Sequence, residues 1–595
     1  MLSFEIYDMN LKNLLIRLQY FLIFIFLFAC ARDKKQSITI LGTTDIHGVI
    51  LPYDFIEKKD LDVSLAGVCS YVNKVRKEKE SVILLDDGDN LQGQPTVYYY
   101  NFIDTASPHI NVEAMNYIGY DAGTVGNHDI ESGHQVYDRL RKEYRFPLLA
   151  ANAVNKITGE PYFKPYTIIE RSGIRVAVFG LITPSVPTWL SPELYSGMEF
   201  RDMVETAEYW MPVIMKEKPD LVIGLFHSGW DDGGGSGDIS GSHIEAGAGS
   251  VARNVPGFDV IFCGHNHNLV NKKIVNSAGD TVLILEGGSR SEHIARADIQ
   301  FSGRMSSRKR KESVAGSIVD VVRYEADPSF LNKFTVQKKA ILDYVSKPIA
   351  AFEATVSSRD SYFGSSPFVD MIHSIQLSLT HADISFAAPL SFDVQIPAGP
   401  VTTGDMFKLY RFENMLYTLS MTGQEVKKYL EFSYSDWYNT MRGPGDFLLK
   451  YKLDKSGKPE MRNGNAWLKN QPYNFDSAGG IDYIVDVSKP EGNRVFIKSF
   501  SDGRRFEMKK TYLVALNSYR GNGGGGHLTE GAGINKEELI NRIKSSTDRD
   551  LRYYILKYLE TKKTIRPTAL GNWKVVPEKW VRTARSRDYQ LLFGK

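Results

Sequence analysis

The chain has 595 residues, 43% hydrophobic and 24% charged, and its 72 Lys and Arg against 70 Asp and Glu leave a net charge of +2. That length exceeds what one hydrophobic core serves and calls for two or more domains. A near-neutral balance is not that of a nucleic-acid polymer binder, and three cysteines exclude a disulfide scaffold. In chain order the first element reads as an export signal. Lys12 and Arg17 precede an unbroken apolar run from Tyr20 to Ala29, and Met9 gives a more conventional start than Met1. The run falls short of the roughly 20 residues that span a bilayer.

The run ends in Leu27-Phe-Ala-Cys30, which resembles the bacterial lipobox although Phe28 is bulkier than the usual residue. The resemblance implies that residues 1–30 are a lipoprotein signal and that Cys30 becomes a lipidated first residue. Acyl chains would then tether the protein to a membrane of the bacterial envelope. Of the other cysteines, Cys263 follows an apolar run and suits core packing. Whether it pairs with Cys69 is not readable from sequence.

Four short apolar runs follow: Ser37 to Leu41, Ser81 to Leu85, Leu221 to Phe226 and Val260 to Phe262. Continuous runs of this length suit strands buried on both faces. Helical patterns at Val72 to Lys79 and Glu131 to Tyr144 give a βα alternation. Ala122 to Val125 is a weaker strand cue. In such sheets ligands collect beyond the carboxyl ends of the strands.

At or near those ends lie five clusters: Asp45-Ile-His47, Gly88-Asp89, Gly126-Asn127-His128-Asp129, His227 and Gly264-His265-Asn266-His267. Each alone is ordinary turn chemistry. Together they supply seven ligands, enough for two adjacent divalent ions sharing a carboxylate, the device of two-metal phosphoester hydrolysis. Mixed Asp, Asn and His donors without thiolate suit Zn²⁺, Mn²⁺ or Fe²⁺.

These motifs resemble the calcineurin-like metallophosphoesterases, whose pattern is D-x-H, G-D, G-N-H-[ED], H and G-H-x-H. Within that family the chain is similar to the branch of 5′-nucleotidases and 2′,3′-cyclic-nucleotide 2′-phosphodiesterases, from about Ser37 to about Gly571. The resemblance implies that Asp45, His47 and His267 hold one ion, that Asn127, His227 and His265 hold the other, and that Asp89 bridges. It makes His128 a catalytic histidine that is not a ligand, oriented by Glu131 or Asp129, with Glu131 preferred by position. The implied fold is α/β (α+β overall). A four-layer β-sandwich flanked by helices spans 37–320, a linker helix 327–349 and a mixed α/β substrate-binding domain 350–571, with 572–595 as a surface-packed extension.

The second half carries fewer cues. Phe301 to Glu312 reads as a basic hairpin or loop, and Asp327 starts the linker's helical pattern. The 32 tyrosines and 31 phenylalanines can serve both cores and base stacking. Phe475 to Tyr483 resembles the branch's base-binding stretch. Asn517 to Gly526, after the strand Tyr512 to Leu516, resembles its second substrate loop, where glycines permit close approach. The substrate-binding residues implied are Phe475, Tyr483, Tyr519, Arg520 and His527, the last in place of the usual aromatic. The stretch Ala387 to Phe392 lacks the phosphate-binding arginine that many 5′-nucleotidases have there, which leaves Arg359 upstream.

A reduced phosphate clamp, together with Leu409 to Asn414, favours the cyclic phosphodiesterase side of the branch. The expected activity is hydrolysis of extracellular nucleotides or cyclic nucleotides to nucleoside and phosphate. A 5′-nucleotidase is the alternative; a thiosulfate-type thiohydrolase and a non-catalytic nucleotide-binding lipoprotein are more distant. Gly233 to Gly237, soon after His227, is either a mobile loop beside the metals or a solvent loop.

Overall fold

The computed structural model describes residues 36–230, 247–302, 310–462 and 464–594. The export signal, Cys30, the Gly233–Gly237 run and most of the basic 301–312 loop lie outside the described residues.

The first domain is built on two six-stranded sheets. In one, Gln36–Thr43, Val82–Asp86, Ala122–Thr124 and Leu148–Leu149 run parallel, with the antiparallel strands His293–Ser302 and Arg310–Asp320 completing an edge. In the other, Ile174–Ile182, Leu221–His227, Val260–Cys263 and Thr281–Gly287 form the parallel centre. The inner faces pack together through Ile40, Ile83, Leu85, Val178, Ile223 and Phe262. Helices Leu65–Glu78 and Ile110–Ile118 cover one outer face and Met203–Lys216 the other, giving the expected four layers. The five expected strands of this domain form, each within two residues of its expected ends. The first helix begins well before Val72, because Ser64 Oγ accepts from the Ala66 amide and Leu65, Val68 and Cys69 are buried.

Register brings the ligand clusters together. Thr43 pairs with Asp86 in parallel, so the loops Thr44–His47 and Asp87–Asp89 leave the sheet side by side. Phe226 pairs with Cys263, which sets His227 next to Gly264.

The linker is two helices, Pro328–Lys333 and Thr335–Ser346, broken at Phe334. Asp327 caps the first, and Phe330, Phe334, Ile341 and Val345 bury against the first domain. Beyond it, Ser477–Gly479, Ile384–Ala387, Thr511–Asn517, Met415–Thr422 and Ile543–Asp550 form a five-stranded mixed sheet. Helices Pro367–Thr380, Gly423–Trp437 and Leu551–Lys562 flank it.

The tail is not a surface extension. Trp573–Val576 pairs in parallel with Ile481–Asp486, and helix Glu578–Phe593 buries Val581, Ala584, Leu592 and Phe593 in the same core. Its Asp588 accepts from the Leu448 and Leu449 amides at 2.8 and 3.0 Å. The basic composition of the stretch hid an apolar face at helical spacing. Among the described residues no helix is long and apolar enough to cross a membrane.

Candidate active site

The strand-end loops hold their ligand residues in an uncommon conformation. Asp45, His47, Asp89, His265 and His267 all have φ between 49° and 74°, a left-handed region that non-glycine residues seldom enter. Such geometry costs about 1–3 kcal/mol per residue and persists only where the surroundings enforce it. Here they do. Asp45 N donates to Gly88 O (2.9 Å), His47 N to Asp89 O (3.0 Å) and Arg290 N to Asp45 O (2.7 Å). Close approach also demands glycine: a Cβ on Gly126 would lie 2.0 Å from Asp89 Oδ1, and one on Gly264 2.0 Å from Thr44 Oγ1.

Two groups of side chains converge: Asp45, His47 and His267, and Asp89, His227 and His265, with the donor atoms of each within 4.8 Å of one another. His47 Nε2 is 3.1 Å from His267 Nε2, which in turn is 3.3 Å from Asp45 Oδ1. His227 Nε2 is 3.1 Å from Asp89 Oδ2. Backbone carbonyls fix the tautomers, because His227 Nδ1 faces Asp87 O at 2.6 Å and His47 Nδ1 faces Gln92 O at 3.2 Å. Each Nδ1 therefore donates to a carbonyl, which leaves each Nε2 as the ring atom directed into the cluster.

Divalent cations fit this arrangement. Asp45 Oδ1, Asn127 Oδ1 and His227 Nε2 are buried without a hydrogen-bond partner among the described residues, a costly state unless something else meets them. Burial disfavours a charged imidazole at His227, yet Asp89, aided by Asp45 and Asp87, carries its pKa well above the ordinary 6.5. The cluster thus calls for positive charge where His227 meets Asp89.

His128 stands beside this cluster, its ring 5.4 Å from that of His47. Its Nδ1 is 2.5 Å from Glu131 Oε2. Burial opposes protonation, but the charges of Asp89 and Glu131 outweigh it and raise His128 to about 9. Asp129 does not reach His128. Its carboxylate instead accepts from the amides of Asp89 (2.9 Å), Asn90 (2.9 Å), Leu91 (3.1 Å) and Gly126 (2.8 Å). Two residues before Glu131, the Asp129 side chain turns back over the helix N-terminus toward the Asp89–Leu91 loop.

A cavity of about 230 Å³ opens over Asn127, His128 and His265. Trp189 and Leu190 form its first-domain wall; Phe412, Tyr473 and Tyr519 form the second-domain wall, with Leu390. The rings of Phe412 and Tyr473 are 6.2 Å apart and those of Tyr473 and Tyr519 6.5 Å, both near perpendicular. Asn414 and Asn517 add amides, and no arginine lines the cavity among the described residues.

Of the six expected substrate-binding residues, only Tyr519 faces this cavity. Phe475 is fully buried and stacks on Trp437 (5.0 Å, 9°). Tyr483 is buried against Trp573, its hydroxyl bonded to Tyr434 and to the Ala478 amide. Arg520 is buried in an ion pair with Asp476 (2.9 Å) and donates to Tyr473 O, so it braces the aromatic wall from behind. His527 is buried between Gly525 O and Asn474 O. Arg359 grips Asp393 in two bonds and lies over Phe593, away from the cavity. Phe475, Tyr483, Arg520 and His527 found partners in the second domain's own core, and Arg359 found one in Asp393 at its surface.

The cavity's other aromatics were missed. Phe412 lies inside the Leu409–Asn414 stretch and Tyr473 two residues before Phe475, so both were within reach of the sequence signal. Trp189 followed the strand-end rule after Ile174–Ile182 but carried no ligand chemistry to mark it.

Residues 38–269 match the calcineurin-like phosphoesterase family and residues 345–530 the 5′-nucleotidase C-terminal domain. The chain is 26% identical over 613 residues to the trifunctional nucleotide phosphoesterase protein YfkN of Bacillus subtilis, covering 91% of this chain but only 39% of that protein. It is 24% identical over 616 residues to the 2′,3′-cyclic-nucleotide 2′-phosphodiesterase/3′-nucleotidase of Haemophilus influenzae, covering 92% and 89%. The solved 5′-nucleotidase precursor of Thermus thermophilus shares the fold with a TM-score of 0.60 and 19% identity, over 91% of this chain and 100% of that one.

Proposed function

We propose that this chain, a member of the calcineurin-like phosphoesterases with a 5′-nucleotidase C-terminal domain, is a metal-dependent hydrolase of nucleoside phosphoesters. Its preferred substrates are 2′,3′-cyclic nucleotides and nucleoside 3′-phosphates. The observation that carries this reading is the cavity, which sets His128 and two candidate ligands, Asn127 and His265, beside a wall of aromatic side chains. A terminal 5′-phosphate carries two charges and favours added cationic contacts, whereas a ring diester carries one. The lack of a lining arginine among the described residues therefore supports the cyclic diester over the 5′-phosphate. The name of the Haemophilus relative agrees with it. A 5′-nucleotidase is the second reading, supported by the C-terminal domain match.

Asp45, His47 and His267 would hold one divalent cation and Asn127, His227 and His265 the other, with Asp89 shared. Two such ions, Zn²⁺, Mn²⁺ or Fe²⁺, supply Lewis acidity toward the phosphoryl group and lower the pKa of water. With Nδ1 of His128 tied to Glu131, Nε2–H is the proton donor left for substrate. It meets the charge that develops on the ribose oxygen as the P–O bond breaks and the water oxygen bonds phosphorus. Asp129 and Glu131 hold loop and imidazole in place. Phe412, Tyr473 and Tyr519 cover the nucleoside and exclude water.

Cys30 is proposed as the acylated residue that holds the enzyme at the bacterial envelope. Radiolabelled palmitate incorporated by the full chain and lost in Cys30→Ala supports this; equal labelling contradicts it. The substrate reading is tested by assaying 2′,3′-cyclic AMP, 3′-AMP and 5′-AMP side by side after metal removal and Mn²⁺ or Zn²⁺ add-back. Higher kcat/KM for the first two is expected. Preference for 5′-AMP overturns the substrate choice, and no phosphate from any of the three overturns the reading.

A further inference from the structure

We infer that Trp189 is a substrate-contacting, specificity-determining residue of the first domain, held in place by Lys536 and Tyr417 of the second. The inference rests on the nucleotide reading above and adds a residue that neither the sequence motifs nor the metal cluster single out.

Trp189 ends the short helix Val186–Trp189, beyond the carboxyl end of a central strand. Its indole lies 5.2 Å from the His265 ring at an interplanar angle of 31°, so it roofs a candidate metal ligand and faces the cavity across from Phe412, Tyr473 and Tyr519. The half-buried indole packs in part against the core cluster that holds Val186, Leu190 and Tyr195, and the rest of it opens into the cavity, where apolar ring surface is left uncovered. An aromatic ligand would cover it.

Its position is set from outside its own domain. The residue before it, Thr188, accepts a hydrogen bond from Lys536 Nζ at 2.8 Å. Two residues after it, Ser191 Oγ is 2.6 Å from the hydroxyl of Tyr417. Tyr417 is buried and closely packed, since a Cβ on Gly521 would come within 2.3 Å of its ring. Lys536 is half-buried, a cost for an ammonium that the bond to Thr188 offsets. The loop that carries Trp189 is thus pinned on both sides by the domain that supplies the opposite aromatic wall. The two walls that face each other across the cavity are joined directly by these two bonds.

The test compares kcat and KM for 2′,3′-cyclic AMP with those for glycerol 2-phosphate, an ester with no ring, in the metal-loaded full-length enzyme. Trp189→Ala is expected to raise KM for the nucleotide about tenfold, with kcat and the glycerol phosphate constants changed less than about twofold. Trp189→Phe is expected to keep the nucleotide KM close to that of wild type. Lys536→Met is expected to raise the nucleotide KM about threefold, with Lys536→Arg restoring it; this variant, outside the cavity lining, also serves should Trp189→Ala fail to fold. Equal nucleotide KM in Trp189→Ala and wild type overturns the proposal alone, as does an unchanged KM in Lys536→Met for the clamp. A wild-type enzyme that does not prefer the nucleotide over glycerol phosphate overturns the nucleotide reading and this proposal with it.

Discussion

The Asp129 carboxylate accepts the Asp89 amide at 2.9 Å, and through three further amides it ties the loop after Val82–Asp86 to the loop after Ala122–Thr124. The carboxylate that would be shared between two cations is thereby held by its neighbour's side chain. Asp89 Oδ1 in turn accepts from the His128 amide at 2.8 Å, so bridge and catalytic histidine are set by one clasp.

Asp129→Ala leaves four buried amides without an acceptor, and each bond to a charged partner contributes about 1.5–3 kcal/mol. The variant is expected to lose about 3 kcal/mol or more of stability and about 10–100-fold in metal affinity. Asp129→Asn retains one oxygen and recovers only part. Calorimetric melting and metal content after dialysis measure both; an unchanged ion content contradicts the clasp.

Gly126→Ala places a methyl 2.0 Å from Asp89 Oδ1. The side chain or the loop must move, at a cost of about 1–3 kcal/mol. Far-UV circular dichroism is expected to stay native while turnover and bound metal fall together. Normal ion content in a folded Gly126→Ala protein counts against the close approach.

His128 gives a pH signature in the metal-free protein. Its pKa stands at about 9 against an ordinary 6.5, burial being outweighed by Asp89 and Glu131. A raised histidine contributes stability that is complete below about 6.5 and is lost as pH rises through about 9. Glu131→Gln removes one of the two raising charges and moves the midpoint down. Imidazole resonances followed by NMR test this, and a midpoint indifferent to Glu131→Gln contradicts it.

Phe475 and Tyr519 are expected to separate cleanly. Phe475→Ala removes a stacked core ring and costs about 3–5 kcal/mol of stability. Tyr519→Ala leaves the melting temperature nearly unchanged and raises KM for the nucleotide. Thermal melts paired with steady-state kinetics distinguish them, and the reverse pattern would put Phe475 back in the substrate site.

Truncation after Gly571 removes Trp573, Leu592 and Phe593 from the second domain's core. Each large side chain contributes about 2 kcal/mol by burial, against a typical total of about 5–15 kcal/mol. The shortened chain is expected to be insoluble or to bind a hydrophobic dye. A soluble, cooperatively melting product would restore the tail to a surface role.

The first domain was more legible than the second for a physical reason. Apolar strands such as Leu221–His227 and Val260–Cys263 are buried on both faces, and the residues just past them carry unusual chemistry, so pattern and ligand type coincide. In the second domain, aromatic residues serve core and cavity alike. Phe475 and Tyr473 differ by two positions in one turn, yet one stacks on Trp437 and the other faces the cavity. Composition does not distinguish them; the polar tip of Tyr473, suited to a half-exposed wall, is the only local cue. Asp129 shows the same limit within a motif, because which of two acids turns toward His128 depends on the N-terminal turn of Asn127–Glu131. Trp189 was invisible because its placement comes from Lys536 and Tyr417, more than two hundred residues away.

The most direct test of a shared two-cation site counts ions and turnover together in wild type and Asp89→Ala. Metal-stripped wild type titrated with Mn²⁺ or Zn²⁺ is expected to bind two ions per chain and to release phosphate from 2′,3′-cyclic AMP only as the second binds. Asp89→Ala is expected to fold yet show no turnover. Full activity in Asp89→Ala, or in the stripped wild type, would contradict the account.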